Sequence, residues 1–170
     1  PAPNRAALAA ALAAKEAALG QPCLAEAFLP GREFNVSVLE EADGPLVLPC
    51  AEMVFSGHEG RPRILGWRAK WDEQSFEHGH TARSFDFPAA DAPLLERLAA
   101  LARDCFTGLG LSGYCRVDFR LDAGGAPQVI DLNPNPCIAP DAGFPAAAAR
   151  AGIAYPALAG RILDAALRGR

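Results

Sequence analysis

The sequence predicts an α+β domain, an antiparallel sheet flanked by helices, and three observations carry that prediction. Tyr114 to Pro136 reads as two alternating strands joined by a tight turn at Gly124-Gly125. The first third of the chain, after one helix, is a series of short alternating segments separated by turns. Amphipathic stretches at 91–109, 143–151 and 155–167 repeat their apolar residues at helical spacing, as helices packed on one side of a sheet would.

The elements follow in order. Ala6 to Leu19 is rich in helix formers and is stopped by Gly20, with Pro22 just beyond. Leu24 to Leu29 reads as a short apolar strand carrying one charge, Glu26, and Pro30-Gly31 as a turn. Phe34 to Leu39 alternates as a strand. Asp43-Gly44-Pro45 makes the next turn, into strands at Leu46–Leu48 and Ala51–Phe55. Gly57 to Arg63 is a charged loop, and Asp72 to Pro88 is polar and without period, as a functional lid or a disordered segment would be. Leu94, Leu95, Leu98, Leu101, Ala102 and Cys105 give the next helix its apolar face. After the hairpin, two closing helices are divided by Gly152.

At 170 residues and 51% hydrophobic, the chain is long enough for one sizeable core. It shows no repeat and no linker, so residues 1–170 read as a single domain. A net charge of −4 with no basic stripe excludes a nucleic-acid footprint. No run approaches the ~18 apolar residues of a membrane span. The alanine-rich stretch after Arg5 is too weakly hydrophobic for a signal peptide. Five scattered cysteines without a CxxC motif read as reduced thiols, so the expected compartment is the cytoplasm. The first residue is Pro1 rather than Met, which reads as part of a longer protein.

The chemistry concentrates in the hairpin. With Gly124-Gly125 at the turn, Asp118 falls opposite Asp131 and Arg116 opposite Asn133, all on one face. Val117, Phe119, Ile130 and Leu132 take the other face, a core face. Two carboxylates roughly 5 Å apart repel by about 3 kcal/mol at an effective dielectric near 20, so a cation between them is expected. Oxygen-only ligands (Asp118, Asp131 and Asn133) suit a hard cation such as magnesium, typically shared with a phosphate. Elsewhere, the Glu26–Leu29 strand offers backbone groups as an adenine edge would. Glu33, after its turn, could accept both ribose hydroxyls, and Lys70 could meet a phosphate or a carboxylate as a point charge. His78 and His80 lack a third ligand for zinc.

These blocks together, Glu26-Ala-Phe-Leu-Pro-Gly-Arg-Glu-Phe, Ala69-Lys-Trp, Arg116-Val-Asp-Phe and Ile130-Asp-Leu-Asn-Pro-Asn-Pro, resemble the ATP-grasp superfamily in its D-alanine–D-alanine ligase-like branch. The resemblance implies the C-terminal ATP-grasp subdomain. It assigns Glu26, Ala27 and Leu29 to an adenine pocket and Glu33 to the ribose. Asp118, Asp131 and Asn133 would hold two magnesium ions, with manganese as a substitute, on the phosphates of ATP. Arg116 would steady a developing oxyanion and Lys70 would approach the γ-phosphate. The implied reaction phosphorylates a small-molecule carboxylate and lets an amine attack the acyl phosphate, giving an amide, ADP and phosphate. It also implies a homodimer, and an N-terminal substrate domain and glycine-rich phosphate loop that this chain lacks. Three positions depart from the branch: Cys137 where a glycine is usual, Ala142 where a serine grips the acceptor, and Trp71 where a lid tyrosine follows the lysine. A non-catalytic nucleotide-binding or interaction module is the alternative use of the same residues. A calcium-dependent β-domain would leave Glu33, Lys70 and Arg116 unexplained.

Overall fold

A computed structural model describes residues 2–66, 72 and 74–168. Lys70 and Trp71 lie outside the described residues. The elements are helix α1 (Arg5–Leu19), strands β1 (Glu33–Glu41), β2 (Gly44–Val47) and β3 (Ala51–Phe55), helix α2 (Phe76–Gly79) and strand β4 (Thr81–Ser84). Helix α3 (Ala92–Gly108), strands β5 (Tyr114–Leu121) and β6 (Pro127–Asn133), and helices α4 (Gly143–Arg150) and α5 (Tyr155–Arg168) complete it. The strands form one antiparallel sheet in the order β4-β3-β1-β5-β6, with β2 on the second half of β1.

Period-two alternation in β1 and β5 divides this sheet into two unlike faces. Phe34, Val36, Val38, Val117 and Phe119 point one way and are fully buried under Leu98, Ala102 and Phe106 of α3. Glu33, Asn35, Ser37, Arg116, Asp118 and Arg120 point the other way, in directly opposed pairs. Toward its far end the polar face turns apolar. Leu39 and its partner Tyr114 meet Phe144, Ala147, Ala148 and Leu158 of the last two helices there. Helices therefore cover both sides of the sheet, not one side as the periodicity suggested. The reason is that Leu39 and Tyr114 share the parity of the polar residues and need their own cover.

Three other expectations are corrected. Leu24–Leu29 forms no strand: it runs as irregular chain into Gly31, Leu24 is 79% exposed, and Arg120 and Ile130 face the segment across a cavity rather than in a ladder. The stretch expected as a lid instead holds α2 and β4. Ser75 caps α2 by accepting the His78 N–H, and β4 pairs with β3 from Glu52↔Ser84 to Phe55↔Thr81. The hairpin turn spans three residues rather than two, with Gly125 in the left-handed region at φ 81°. The Asp122 carboxylate accepts the N–H groups of Gly124 and Ala126 (both 2.9 Å), and these hold its pKa below the usual carboxylate range. A bulge between the Asp118 and Phe119 pairs then restores the register, so Asp118 still faces Asp131 and Arg116 still faces Asn133. The bulge takes Ile130 off the core face and leaves it 40% exposed.

Two tertiary ties fix the start of β1. The Gly31 N–H donates to the Leu121 carbonyl at 3.0 Å. A Cβ on Gly31 would lie 2.4 Å from that same oxygen. Arg32 donates to both oxygens of Glu52 (2.8 and 2.6 Å) and to Asp91 (2.7 Å), joining β1, β3 and the turn before α3. Gly31→Ala is accordingly expected to cost about 2 kcal/mol, read from urea unfolding, because the obstacle is backbone. The Arg32 hydrogen bond holds the Asp91 carboxyl below its usual range. A carboxylate with a depressed folded pKa adds stability above its unfolded value, near pH 4, and loses it as pH falls through the folded one. Stability should therefore decline below about pH 4, and Asp91→Asn should flatten that decline in urea midpoints measured down to about pH 2.5.

Candidate functional site

The polar sheet face carries the site. Asp118 and Asp131 are directly opposed across β5 and β6. The cation nearest Asp118 is Arg116, two residues back on the same strand and face. Its Nε donates to Oδ1 at 2.7 Å and its Nη2 to Oδ2 at 2.8 Å, while Asn35 Nδ2 adds a bond to Oδ1 at 2.9 Å. Burial opposes the Arg116 charge, but the Asp118 bonds and the fields of Asp118, Asp131 and Glu33 outweigh it and raise its pKa. Asp131 is exposed and makes no hydrogen bond or ion pair with any described residue. Asn133 is half-buried, and its Oδ1 accepts the Asn135 N–H at 2.9 Å. The described residues hold no cluster of three His, Cys, Asp or Glu side chains. The oxygen set on offer is thus two carboxylates and an amide, a composition that fits a hard divalent cation sharing its coordination with a phosphate.

Two cavities flank this pair along the strands. One, of about 350 Å³, is lined by Glu26, Ala27, Phe28, Leu29, Ile64, Arg120 and Ile130. It unites the three residues expected for adenine. Glu33 does not line it. It is buried beneath, 3.6 Å from Arg120 Nε. Arg120 and Ile130 were missed as site residues. Alternation on β5 was signal enough for Arg120, whereas Ile130 is delivered by the bulge, which has no sequence signature. Arg120 is 5% exposed, donates to the Arg63 carbonyl, and lies 5.4 Å from the Phe28 ring centre. Burial lowers its pKa against the opposing pull of Glu33.

The second cavity, of about 540 Å³, lies past Arg116. Asn35, Met53, Arg83, Arg116, Asn133 and Cys137 line it, together with Asp141, Ala142 and Gly143 at the start of α4. His78, Thr81 and Arg83 reach it from α2 and β4, the stretch that sequence reading left without structure. Cys137 is exposed there as a free thiol.

A sheet with an apolar cavity, a carboxylate pair and a second polar cavity in line has the architecture of the ATP-grasp C-terminal subdomain. The profile of the family described as D-ala D-ala ligase C-terminus matches residues 2–164, and the chain belongs to that family. A D-alanine–D-alanine ligase of Halorhodospira halophila is 34% identical over 152 residues, covering 89% of this chain and 45% of its own. An uncharacterized protein of Sinorhizobium fredii is 32% identical over 152 residues, covering 87% of this chain and 42% of its own. The crystal structure of the D-alanine–D-alanine ligase of Bacillus anthracis superposes with a TM-score of 0.63 at 26% identity, over 84% of this chain and 42% of that one. The chain thus spans less than half the length of the relatives it matches.

The Arg116 fork makes a measurable claim. Arg116→Gln leaves Asp118 opposite Asp131 without its compensating charge, and is expected to cost about 2–3 kcal/mol of stability. Arg116→Gln/Asp118→Asn should recover at least half of that loss, and a double-mutant cycle in chemical denaturation reads the coupling.

Proposed function

We propose that the protein is an ATP- and magnesium-dependent ligase that joins a small-molecule carboxylate to an amine through an acyl phosphate. This chain forms one domain, the C-terminal part of the enzyme, and works with the N-terminal part of the same ligase. The observation that carries the reading is the placement of Asp118 and Asp131, face to face between two cavities on one sheet face.

Asp118, Asp131 and Asn133 would hold the magnesium ions, manganese substituting. The metal-bound nucleotide supplies the phosphoryl group and neutralises charge on it during transfer. Glu26, Ala27 and Leu29 with Ile130 would present an apolar slot and backbone groups for a base, and the motif assigns Glu33 to the ribose. Arg120, clamped between Phe28 and Glu33, fixes the wall of that slot. Arg116 has two tasks. It offsets the carboxylate pair in the free fold, and from the wall of the second cavity it would steady the negative charge that develops on the reacting carbonyl. Lys70 is assigned to the γ-phosphate by its place in the motif. The second cavity receives the acid and the amine.

Asp131 separates this reading from a purely structural one. Its carboxylate makes no hydrogen bond or ion pair with a described residue, so Asp131→Asn should leave stability within about 0.5 kcal/mol in the absence of magnesium. With magnesium and ATP at roughly a hundred times the dissociation constant, the wild-type protein gains about 2.7 kcal/mol of apparent stability, and the variant gains none. Calorimetric titration and thermal melts of the protein at its natural length check both halves. Equal stabilisation of variant and wild type would remove Asp131 from the site. ATP bound without phosphate release would favour the non-catalytic module.

A further inference from the structure

A buried guanidinium forms part of the wall of the apolar cavity. Arg120 lines that 350 Å³ space, yet its side chain is only 6% exposed. Across the ladder it stands directly opposite Glu33 of β1, whose side chain is equally buried. Two buried opposite charges offset their desolvation only when their remaining donors and acceptors are satisfied too. Here one donor is not. Arg120 Nη2 donates to the Arg63 carbonyl, and the guanidinium lies 5.4 Å from the Phe28 ring centre and 5.9 Å from that of Phe55, so it is held in one place. Its Nε has no hydrogen-bond partner among the described residues. Glu33 Oε2 is 3.6 Å away, near enough for charge attraction and too far for a hydrogen bond. The motif blocks of the sequence include Glu33 and stop one residue short of Arg120.

We infer that Arg120 is a specificity-determining residue of the nucleotide site: its Nε–H, with the Glu33 carboxylate beside it, binds a sugar hydroxyl and so selects a ribonucleoside triphosphate over a deoxy counterpart. The inference deepens the ligase reading and rests on it for the nucleotide. The chemistry of the pair names the group. A hydroxyl both accepts and donates, so a single one takes the hydrogen bond from Nε and gives its own to the carboxylate. An anion would be repelled by Glu33 and an ammonium group by Arg120. Position names the sugar. Glu33–Arg120 and Asn35–Asp118 are successive pairs on one face of β1 and β5, a two-residue step of roughly 7 Å. With a base in the apolar cavity and its phosphates at Asp118 and Asp131, the sugar that joins them falls at the Glu33–Arg120 pair. The hydroxyl completes the hydrogen bonding that the free fold leaves open, and the guanidinium needs no further ordering to meet it.

Calorimetric titration of the natural-length protein with magnesium and ATP, 2′-deoxyATP or 3′-deoxyATP tests this. The wild-type protein is expected to bind at least one deoxy analogue roughly tenfold more weakly than ATP, the effect of losing one charge-assisted hydrogen bond. Arg120→Met should weaken ATP by a similar factor and leave that analogue within about twofold, so that the preference disappears. Arg120→Lys keeps a cation beside Glu33 and should show an intermediate preference, which carries the test if Arg120→Met does not fold. A residue that only shaped the wall would, when replaced, weaken ATP and both analogues alike, and that result overturns the inference. So does a preference that both variants retain in full, because the hydroxyl is then read by other groups. ATP and both analogues bound equally by the wild type overturn the inference while leaving the nucleotide reading in place. If ATP itself does not bind, the nucleotide reading fails and the hydroxyl site with it.

Discussion

A carboxylate pair facing itself across a hairpin is the feature on which the site depends, and the Arg116 fork is what allows the free fold to keep it. Asp118 is nearly buried, and burying a charge without a partner costs more than the sheet could offset. Two charge-assisted bonds from Arg116 and one from Asn35 satisfy it, so Asp131 can stay uncommitted at the surface. The result is a charge arrangement that is stable when empty and ready to take a cation.

The same sheet does two jobs because its residues alternate. The even positions of β1 and the odd positions of β5 build the core with α3. Their neighbours, one residue away, build the site. Core packing and site geometry are therefore rigidly linked, and a register slip of one residue would exchange them. Gly31 against the Leu121 carbonyl and the Arg32 clamp on Glu52 and Asp91 are the locks that hold that register.

Much of this was legible in the sequence, for reasons that differ by residue. Asp118, Asp131, Arg116 and Asn133 could be paired because a hairpin is local and its turn is marked by glycines. Even so, the expected two-residue turn was wrong: a three-residue turn and a bulge compensate each other, and the carboxylate pairing survives while Ile130 changes face. The Leu24–Leu29 segment looked like a strand because its apolar residues suit one, but it faces β5 and β6 across a cavity instead of pairing with them. The opposite error affected residues 72–88. There β4 has little apolar period of its own and exists because the edge of β3 was open to pair with it.

The sequence by itself determined the chemistry on offer: the carboxylates, the arginine beside them, the turn glycines and the alternation that sets one face against the other. All of these are relations among residues close in the chain, where backbone geometry leaves few choices. Tertiary structure alone decided which distant groups share a cavity. Arg83 comes to Gly143 and Arg116 only because β4 pairs with β3, β3 with β1 and β1 with β5. Arg120 meets Phe28 and Glu33 only because Gly31 docks on β5. Such contacts follow from long-range strand order, which no local pattern encodes, and it is there that the second cavity was made.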